Sequence, residues 1–167
     1  MRRVVILGSS GAGESTLARA LGAKLGVPVV HLDALFWRPG WVEPENEAFR
    51  AAVAAAIAGD AWITDGNYAS RTFDLRLPRA DTVIFLTQPR WLCVFRILWR
   101  WLTAFGRTRP DMAEGCQENF SWDFFLWTWR FEARHAPRIL AAAEAYPTPI
   151  THLRGSAAMA RFIAEAN

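Results

Sequence analysis

The chain has 167 residues, a length that suits one domain with a sizeable core and leaves little for a second. Its net charge is +3, and Lys24 is the only lysine among 19 basic residues. Arginine forms forked contacts with phosphates, so this bias suits an anionic ligand, although a GC-rich genome explains it equally well. Cys93 and Cys116 lack the spacing of a zinc site or a disulfide framework. Since no segment predicts a signal peptide or a bilayer-spanning helix, we expect a cytoplasmic protein without a membrane partner.

The first predicted strand, residues 4–7, leads into a glycine-rich segment and then a helical pattern. This segment fits the phosphate-binding loop pattern G-x-x-x-x-G-K-[ST] at Gly8, Gly13 and Ser15. Glycines let successive backbone N–H groups turn inward, and the start of the next helix adds positive potential. The candidate nucleotide-binding residues are Gly8, Ser10, Gly11, Ala12, Gly13, Glu14, Ser15 and Thr16.

Glu14 stands where this pattern requires lysine. A lysine at this place reaches the outer phosphates, and one such pair is worth about 4 kcal/mol at ~4 Å and an effective dielectric of about 20. A carboxylate reverses the sign of that interaction. We therefore predict that the loop still binds ATP or ADP but that phosphoryl transfer is impaired. An introduced inactivating change and a natural lineage with lost or altered chemistry both explain Glu14.

Strand and helix patterns alternate along the rest of the chain. The predicted strands span residues 4–7, 27–32, 61–64, 82–87 and 149–153. The predicted helices span about 15–25, 44–58, 89–105, 121–145 with a bend before Pro137, and 156–166. This alternation predicts an α/β fold with a doubly wound sheet of about five parallel strands. No linker divides residues 1–167, which we expect to form a single domain.

Two predicted strands end in aspartates, Asp33 and Asp65. Ligands of doubly wound sheets bind beyond the carboxyl ends of the strands, so both residues are expected to face the loop. Asp65 is expected to hold Mg²⁺ with the Ser15 hydroxyl, or to orient the substrate. Asp33 is expected to accept a proton from an acceptor hydroxyl or to hydrogen-bond a sugar or base. For either residue alone, capping of a local turn is the alternative.

Arginines recur at helical spacing on both sides of an irregular segment of about residues 106–120. The two sets are Arg96, Arg100 and Arg107, and Arg130, Arg134 and Arg138. We expect the segment between them to be a mobile lid, with Arg100, Arg130 and Arg134 as catalytic candidates that neutralise transferring phosphates. Solvated helix faces are the alternative. Nothing in the sequence selects an arginine that takes over the role of the missing lysine.

Nine tryptophans raise the alternative that aromatic rings stack on nucleic-acid bases. Their helical spacing instead favours the core or the pairing of two helices. The tryptophans concerned are Trp91, Trp99 and Trp101 on one helix and Trp122, Trp127 and Trp129 on the next. Trp37 and Trp41 are expected to line an acceptor pocket, and Arg154, after the last strand, to stack on adenine.

Four segments carry a family resemblance: 6–13, 31–37 (HLDALFW), 65–68 (DGNY), and 109–112 (RPDM) with Gly115 and Cys116. Through them the chain resembles the small P-loop kinase-like proteins related to adenylate kinase, and more closely the FlaR-like proteins labelled DNA topology modulation proteins. The resemblance covers nearly the whole chain, and Glu14 departs from its pattern. It implies ATP at the loop, an arginine-bearing lid and a small acceptor near Asp33.

The leading interpretation is a kinase-like phosphotransferase or ATPase that binds ATP or ADP with Mg²⁺ and is weakened or inactive in this form. Its acceptor would be a small molecule, either a nucleoside or a nucleotide. The alternative is a non-catalytic, nucleotide-gated protein that binds DNA, which the pI near 9.4 and the clustered arginines favour. No helix-turn-helix or zinc pattern supports that alternative.

Overall fold

The structure is a computed structural model that describes all 167 residues. Its five strands form one parallel sheet in the order β2-β3-β1-β4-β5. They are β1 (Arg3–Gly8), β2 (Val29–His31), β3 (Trp62–Asp65), β4 (Thr82–Thr87) and β5 (Ile150–Arg154). The helices are α1 (Glu14–Leu25), α2 (Leu32–Phe36), α3 (Asn46–Ala56), α4 (Ala69–Arg76), α5 (Arg90–Ala104), α6 (Trp122–Arg130), α7 (Ala136–Glu144) and α8 (Gly155–Glu165). The prediction of a doubly wound parallel sheet of five strands is confirmed.

The central strands β1 and β4 are buried on both faces. Val5 and Leu7 belong to one apolar cluster, while Val4 and Ile6 belong to another. Because successive side chains of a strand point to opposite faces, the two clusters lie on opposite sides of the sheet. Strands of this kind are continuous apolar runs in sequence, which is why they could be predicted.

The strand β2 is shorter than predicted, and the predicted loop after it begins as helix α2. Asp33 therefore lies in the first turn of a short helix and not at the end of a strand, which corrects the prediction. Leu32 and Phe36, four residues apart, are both buried, and their packing stabilises this single turn. Asp33 still lies within two residues of the carboxyl end of β2.

The helix α4 and the 3₁₀ turn Leu77–Arg79 that follows it were not predicted. The buried residues of α4 are Thr72, Phe73 and Arg76. Two of these three are polar, so the sequence lacks the apolar stripe by which an amphipathic helix is recognised. The helix is nevertheless held by its packing against α3 and α7.

The predicted long helix of residues 121–145 is divided into α6, a π-helical turn at Phe131–His135, and α7. The π-helical turn lies where a bend was predicted, just before Pro137, a residue that has no N–H to donate to the helix. None of the helices combines the length and the apolar content needed to cross a bilayer.

The tryptophans of α5 and α6 do not share one environment. Trp101 is buried, but Trp91 and Trp99 on α5 and Trp122 and Trp129 on α6 are exposed. The prediction that this set serves the core or the pairing of the two helices is therefore wrong for Trp91, Trp99 and Trp122. Trp129 does serve the pairing, because its ring lies 4.6 Å from the Arg90 guanidinium of α5.

Residues 106–120 contain no helix and pair only through isolated bridges, such as Thr108 with Gln117. The segment packs against the loop that follows α2. Gly40 N–H donates to Gly115 O at 3.1 Å, the Cys116 thiol donates to Arg38 O at 3.1 Å, and Trp41 Nε1 donates to Gln117 O at 2.9 Å. The two segments thus meet on the Asp33 side of the sheet.

Candidate functional site

The glycine-rich loop connects β1 to α1 and curls as the sequence predicts. Gly13 is the residue before α1 and has a φ of 107°, which favours glycine. Gly11 has a φ of 80°, and a Cβ there would lie 2.6 Å from Cys93 O, so no side chain fits. Ala12 N–H donates to Ser9 O at 2.9 Å and closes the turn. The backbone therefore forms a concave cradle at the N-terminal end of α1, a geometry that favours anions.

The remaining predicted loop residues lie on or near the surface of this cradle. Ser10 and Ser15 are half-buried, and Thr16 is exposed. Their hydroxyl groups donate no hydrogen bond within the protein, which leaves them free to meet a ligand.

Asn67, which was not singled out, fixes the start of the loop. Its Nδ2 donates to Gly8 O at 2.7 Å, and Gly8 N–H donates to its Oδ1 at 3.2 Å. The amide thereby pairs with both backbone groups of Gly8 as a neighbouring strand would. This ties the loop to the turn that follows β3. The DGNY segment was the available signal, but only the fold reveals the partner of its asparagine.

The two predicted aspartates face the same region, and each has a partner that the sequence did not predict. Asp65 ends β3 and is 5 % exposed, and its Oδ1 lies 2.8 Å from His31 Nδ1. Asp33 accepts a hydrogen bond from the Tyr68 hydroxyl at 2.6 Å. Tyr68 has a left-handed φ of 42°, rare for a tyrosine, and this conformation directs its side chain back toward α2. Burial raises the pKa of Asp33 despite the hydrogen bond from Tyr68, which lowers it.

Glu14 joins these two aspartates. Its carboxyl carbon would lie 3.4 Å from a Cβ built on Gly8, so the side chain folds back over the start of the loop. Part of the residue reaches solvent, but its carboxyl group is enclosed by the site. Burial raises the pKa of this carboxyl well above its ordinary value, and the charges of Asp65 and Asp33 raise it further. Three acids therefore converge where the phosphate-binding pattern has a lysine.

Arg76 is the buried cation of this region, and no sequence signal pointed to it. The side chain is 0 % exposed, and its Nη1 donates to Gly66 O at 3.1 Å while Nη2 donates to Asn67 O at 2.5 Å. Burial lowers the pKa of its guanidinium to about 9, and the charges of Asp65 and Glu14 oppose that shift. Arg76 thus holds the turn that carries Asn67 and partly balances the three acids.

Of the predicted arginines, Arg96 lies closest to the loop. Its Nη1 donates to Gly11 O at 3.0 Å and to Ala12 O at 3.3 Å, and no other arginine hydrogen-bonds the loop. Arg100 instead pairs with Glu118, at 3.1 Å from Nε to Oε2.

Arg109 completes a charged network in the 106–120 segment. Its Nε lies 2.5 Å from Glu118 Oε1, and its Nη1 donates to Asp111 Oδ2 at 2.8 Å. Charges of this network reach the acceptor side of the site, because Arg109 lowers and Asp111 raises the pKa of Asp33.

The other predicted arginines lie elsewhere. Arg130 and Arg134, with Arg138, line a separate open pocket of about 700 Å³ on α6, the π-helical turn and α7. No hydrogen bond or ion pair joins them to the loop or to the two aspartates, so the structure does not bring these catalytic candidates into the site. Arg154 is exposed at the end of β5, paired in register with Thr87 at the end of β4. It therefore lies at the edge of the sheet where ligands are expected.

The His31–Asp65 pair predicts a pH dependence. The hydrogen bond to Asp65 raises the pKa of His31 above 6.5, so the folded state holds the imidazole proton more tightly than the unfolded state. Its stabilisation, about 1.5–3 kcal/mol for a hydrogen bond to a charged group, is complete below about pH 6.5 and is lost as pH rises through the folded-state pKa. The free energies of unfolding of the parent protein and of His31→Gln, measured with urea, should therefore differ most at acidic pH. A difference that stays constant with pH would contradict a charged pair.

Glu118 is predicted to hold the 106–120 segment in place, because its 2 % exposed carboxylate contacts both Arg100 and Arg109. Glu118→Gln leaves two neighbouring guanidinium groups without this anion. We expect the free energy of local opening to fall by about 2–4 kcal/mol, measured by amide hydrogen exchange across residues 106–118. Glu114→Gln, an exposed acid in the same segment without an ion pair, is the matched control and should change exchange little. Equal effects of the two variants would show that the network does not hold the segment.

Comparisons with known proteins agree on the fold. No family model matches the sequence. Adenylate kinases of Mycobacterium leprae, strains TN and Br4923, are 36 % identical to the chain over 81 residues, which is 48 % of this chain and 42 % of theirs. The chain thus spans about two fifths of the length of these curated relatives.

The solved structures that it resembles are matched over almost the whole chain. Shikimate kinase from Acinetobacter baumannii, solved in complex with shikimate, superposes with a TM-score of 0.62 at 17 % identity over 99 % of this chain and 90 % of that one. Shikimate kinase from Bacteroides thetaiotaomicron gives 0.59 at 18 % over 98 % and 94 %. A gluconokinase from Sinorhizobium meliloti gives 0.53 at 18 % over 99 % and 89 %. Together with the loop and the strand order, these matches show that the chain has the P-loop kinase fold.

Proposed function

We propose that residues 1–167 form a single nucleotide-binding domain that holds ATP or ADP with Mg²⁺ and is built to transfer a phosphoryl group to a small acceptor. The observation that carries this proposal is the convergence at Glu14. Its carboxyl, at the lysine position of the loop, lies within electrostatic reach of both Asp65 and Asp33. The loop, the metal candidate and the acceptor candidate therefore share one site at the carboxyl ends of the strands.

The donor set around the loop fits a nucleotide with Mg²⁺. Mg²⁺ prefers oxygen ligands and commonly takes one or two from the protein and the rest from water and phosphate, as the Ser15 hydroxyl and the Asp65 carboxylate allow. When bound, the ion would draw charge from the phosphate oxygens. In the proposed site, the backbone N–H groups of the loop bind the phosphates, and His31 orients the Asp65 carboxylate.

Asp33 is the proposed acceptor-side base. The Tyr68 hydroxyl occupies its Oδ1, and Oδ2 has no hydrogen-bond partner in the protein, so Oδ2 is free to receive a hydroxyl proton. The raised pKa of this carboxyl suits that role. Trp37, in ring contact with Phe36 and Trp41, would line the acceptor pocket. A nucleoside, a nucleotide or another small hydroxyl compound fits this description, and we propose the 106–120 segment as the lid over it.

We further propose that Glu14 impairs the transfer step. When ionised, its carboxylate adds negative charge where the pattern has a cation, and when protonated it still supplies no positive charge. Arg96, which donates to Gly11 O, supplies part of the missing positive charge. The motifs also support our proposal that the chain is a FlaR-like protein in which this lysine has been replaced.

Isothermal titration calorimetry with ATP and ADP, each with and without Mg²⁺, tests the proposal. We expect binding of both nucleotides, and tighter binding with Mg²⁺ than without it. Failure to bind either nucleotide at millimolar concentration would overturn the assignment of the loop.

A DNA-binding role without catalysis is the second candidate. The observation that favours it is the open pocket in which Arg130, Arg134 and Arg138 face only one acid, Asp123. Binding to duplex DNA should then weaken steeply with salt and further in Arg130→Gln. Absence of binding even at low salt excludes this role.

A further inference from the structure

The large apolar side chains that are exposed gather in one part of the molecule. Nine of the ten lie between residues 91 and 129, on α5, on α6 and at the two ends of the segment between them. They are Trp91, Phe95, Trp99, Leu102, Phe105, Phe120, Trp122, Leu126 and Trp129, and we call them the aromatic surface. The function proposed above uses none of them.

The helix α5 is apolar on two sides. Its buried residues, Cys93, Val94, Ile97 and Trp101, pack against the rest of the protein. Its exposed members of the aromatic surface, Trp91, Phe95, Trp99 and Leu102, lie within an arc of about 80° on another side. The Phe95 and Trp99 rings stack on each other at 6.4 Å, so this exposed stripe is ordered.

The helix α6 continues the surface beside α5. The Arg90 guanidinium at the start of α5 lies 4.6 Å from the Trp129 ring near the end of α6. Trp101 near the end of α5 contacts Phe120, whose ring also contacts Trp122 at the start of α6. The two helices are therefore antiparallel neighbours.

The aromatic surface is larger than ordinary surface apolarity explains. Its members are 37–79 % exposed, which amounts to on the order of 1,000 Å², since an aromatic side chain presents about 150–250 Å². The largest apolar patch of a typical monomer is about 300–600 Å². A surface of this size indicates a partner.

Basic residues outnumber acidic residues around the surface. Residues 90–110 contain five arginines and no acid. The exposed charged residues between 90 and 130 are three arginines, Arg90, Arg107 and Arg130, and two acids, Glu114 and Asp123. An isologous contact with a second copy would place this basic surface against itself. An anionic partner is complementary to it.

We propose that the aromatic surface adsorbs to anionic lipid bilayers. Tryptophan and leucine would enter the headgroup boundary, and the arginines would contact lipid phosphates, as in amphipathic helices that lie in the interface plane. Such a helix does not need the length of a spanning helix, so the absence of a span is no obstacle. The proposal does not depend on nucleotide binding or catalysis.

Co-sedimentation of the whole chain with vesicles tests this, using phosphatidylcholine alone and an equimolar mixture with phosphatidylglycerol. We expect binding to the mixture that weakens with salt, with a blue shift of tryptophan fluorescence, and at least tenfold weaker binding to phosphatidylcholine alone. The double variant Phe95→Ser/Trp99→Ser should bind the mixture at least tenfold more weakly. Arg107→Gln should bind about fivefold more weakly.

Val42→Ser is the matched control, because Val42 is 55 % exposed but lies outside the aromatic surface, and it should bind the mixture as the parent protein does. Circular dichroism confirms that each variant is folded. Absence of binding to the mixture, or equal binding by the Phe95→Ser/Trp99→Ser variant, would overturn the proposal. So would a stable dimer in sedimentation velocity that the same variant abolishes, since the surface would then be an interface between copies.

Discussion

Glu14→Lys is expected to tighten Mg-ATP binding by about 10- to 100-fold. The Coulomb interaction with one outer phosphate changes from repulsion to attraction, each of about 4 kcal/mol at ~4 Å and an effective dielectric of about 20. Desolvation of the lysine cancels most of that gain. Calorimetry with Mg-ATP measures the affinity, and a coupled assay for ADP release measures turnover, which should rise as well.

Glu14→Gln separates the loss of repulsion from the gain of a cation. It should bind Mg-ATP with an affinity between those of the parent protein and the lysine variant. If lysine binds no more tightly than glutamine, the missing cation is not what limits the loop.

The same variant tests the protonation of Glu14. Its raised pKa means that the folded state keeps the proton after the unfolded state has lost it, above about pH 4.5. Stability should therefore fall as pH rises toward the folded-state pKa, and Glu14→Gln should reduce this fall. Urea unfolding at several pH values measures the difference.

The fold could be predicted because the patterns that specify its strands and its loop lie within short stretches of sequence. The runs that became β1 and β4 are apolar throughout, and the glycines between β1 and α1 mark the loop directly. The errors arose where tertiary packing overrides the local pattern. Leu32 and Phe36 stabilise a single helical turn, and a segment of five residues is too short to show helical periodicity in the sequence. The helix α4 could not be predicted from an apolar stripe, because two of its three buried residues are polar.

The candidate site could be predicted only for residues that a motif places. The loop, Asp65 at the end of β3 and the position of Asp33 just beyond β2 followed from the pattern and from the geometry of parallel sheets. Asn67 bonds the backbone of Gly8, which is distant in sequence, and Arg76 bonds the backbone of the turn before α4. A single sequence carries no signal for such pairs. Helical spacing predicted two stripes of arginines, but it could not tell which arginine faces the loop. Arg96 does, whereas Arg130 lines another pocket.

Helical periodicity also could not separate the two apolar sides of α5. A helix that is apolar over most of its circumference is usually buried, and this led to the prediction that its tryptophans belong to the core or to the pairing of two helices. The structure buries Trp101 and exposes Trp91 and Trp99. The excess of apolar residues in the sequence was thus the signal of a second contact surface.

Arg76→Met is expected to lower the free energy of unfolding by about 3–5 kcal/mol at neutral pH, a large part of the stability of an ordinary domain. The change leaves the acceptors Gly66 O and Asn67 O without their donor and removes the buried cation beside Asp65 and Glu14. Because the turn also carries the Asn67 amide that holds Gly8, ATP affinity should fall too. Urea unfolding followed by tryptophan fluorescence measures the first effect, and calorimetry measures the second.

The pH dependence of this loss separates charge from hydrogen bonding. Arg76 lowers the pKa of Glu14, so its removal lets that pKa rise further. Protonation of Glu14 at mildly acidic pH then restores part of the stability, and the loss shrinks there. Arg161→Met, on an exposed position of α8, should change stability by less than about 0.5 kcal/mol and controls for the removal of an arginine. An equal loss at both pH values would show that the backbone hydrogen bonds, and not the balance of charge among the three acids, are what Arg76 contributes.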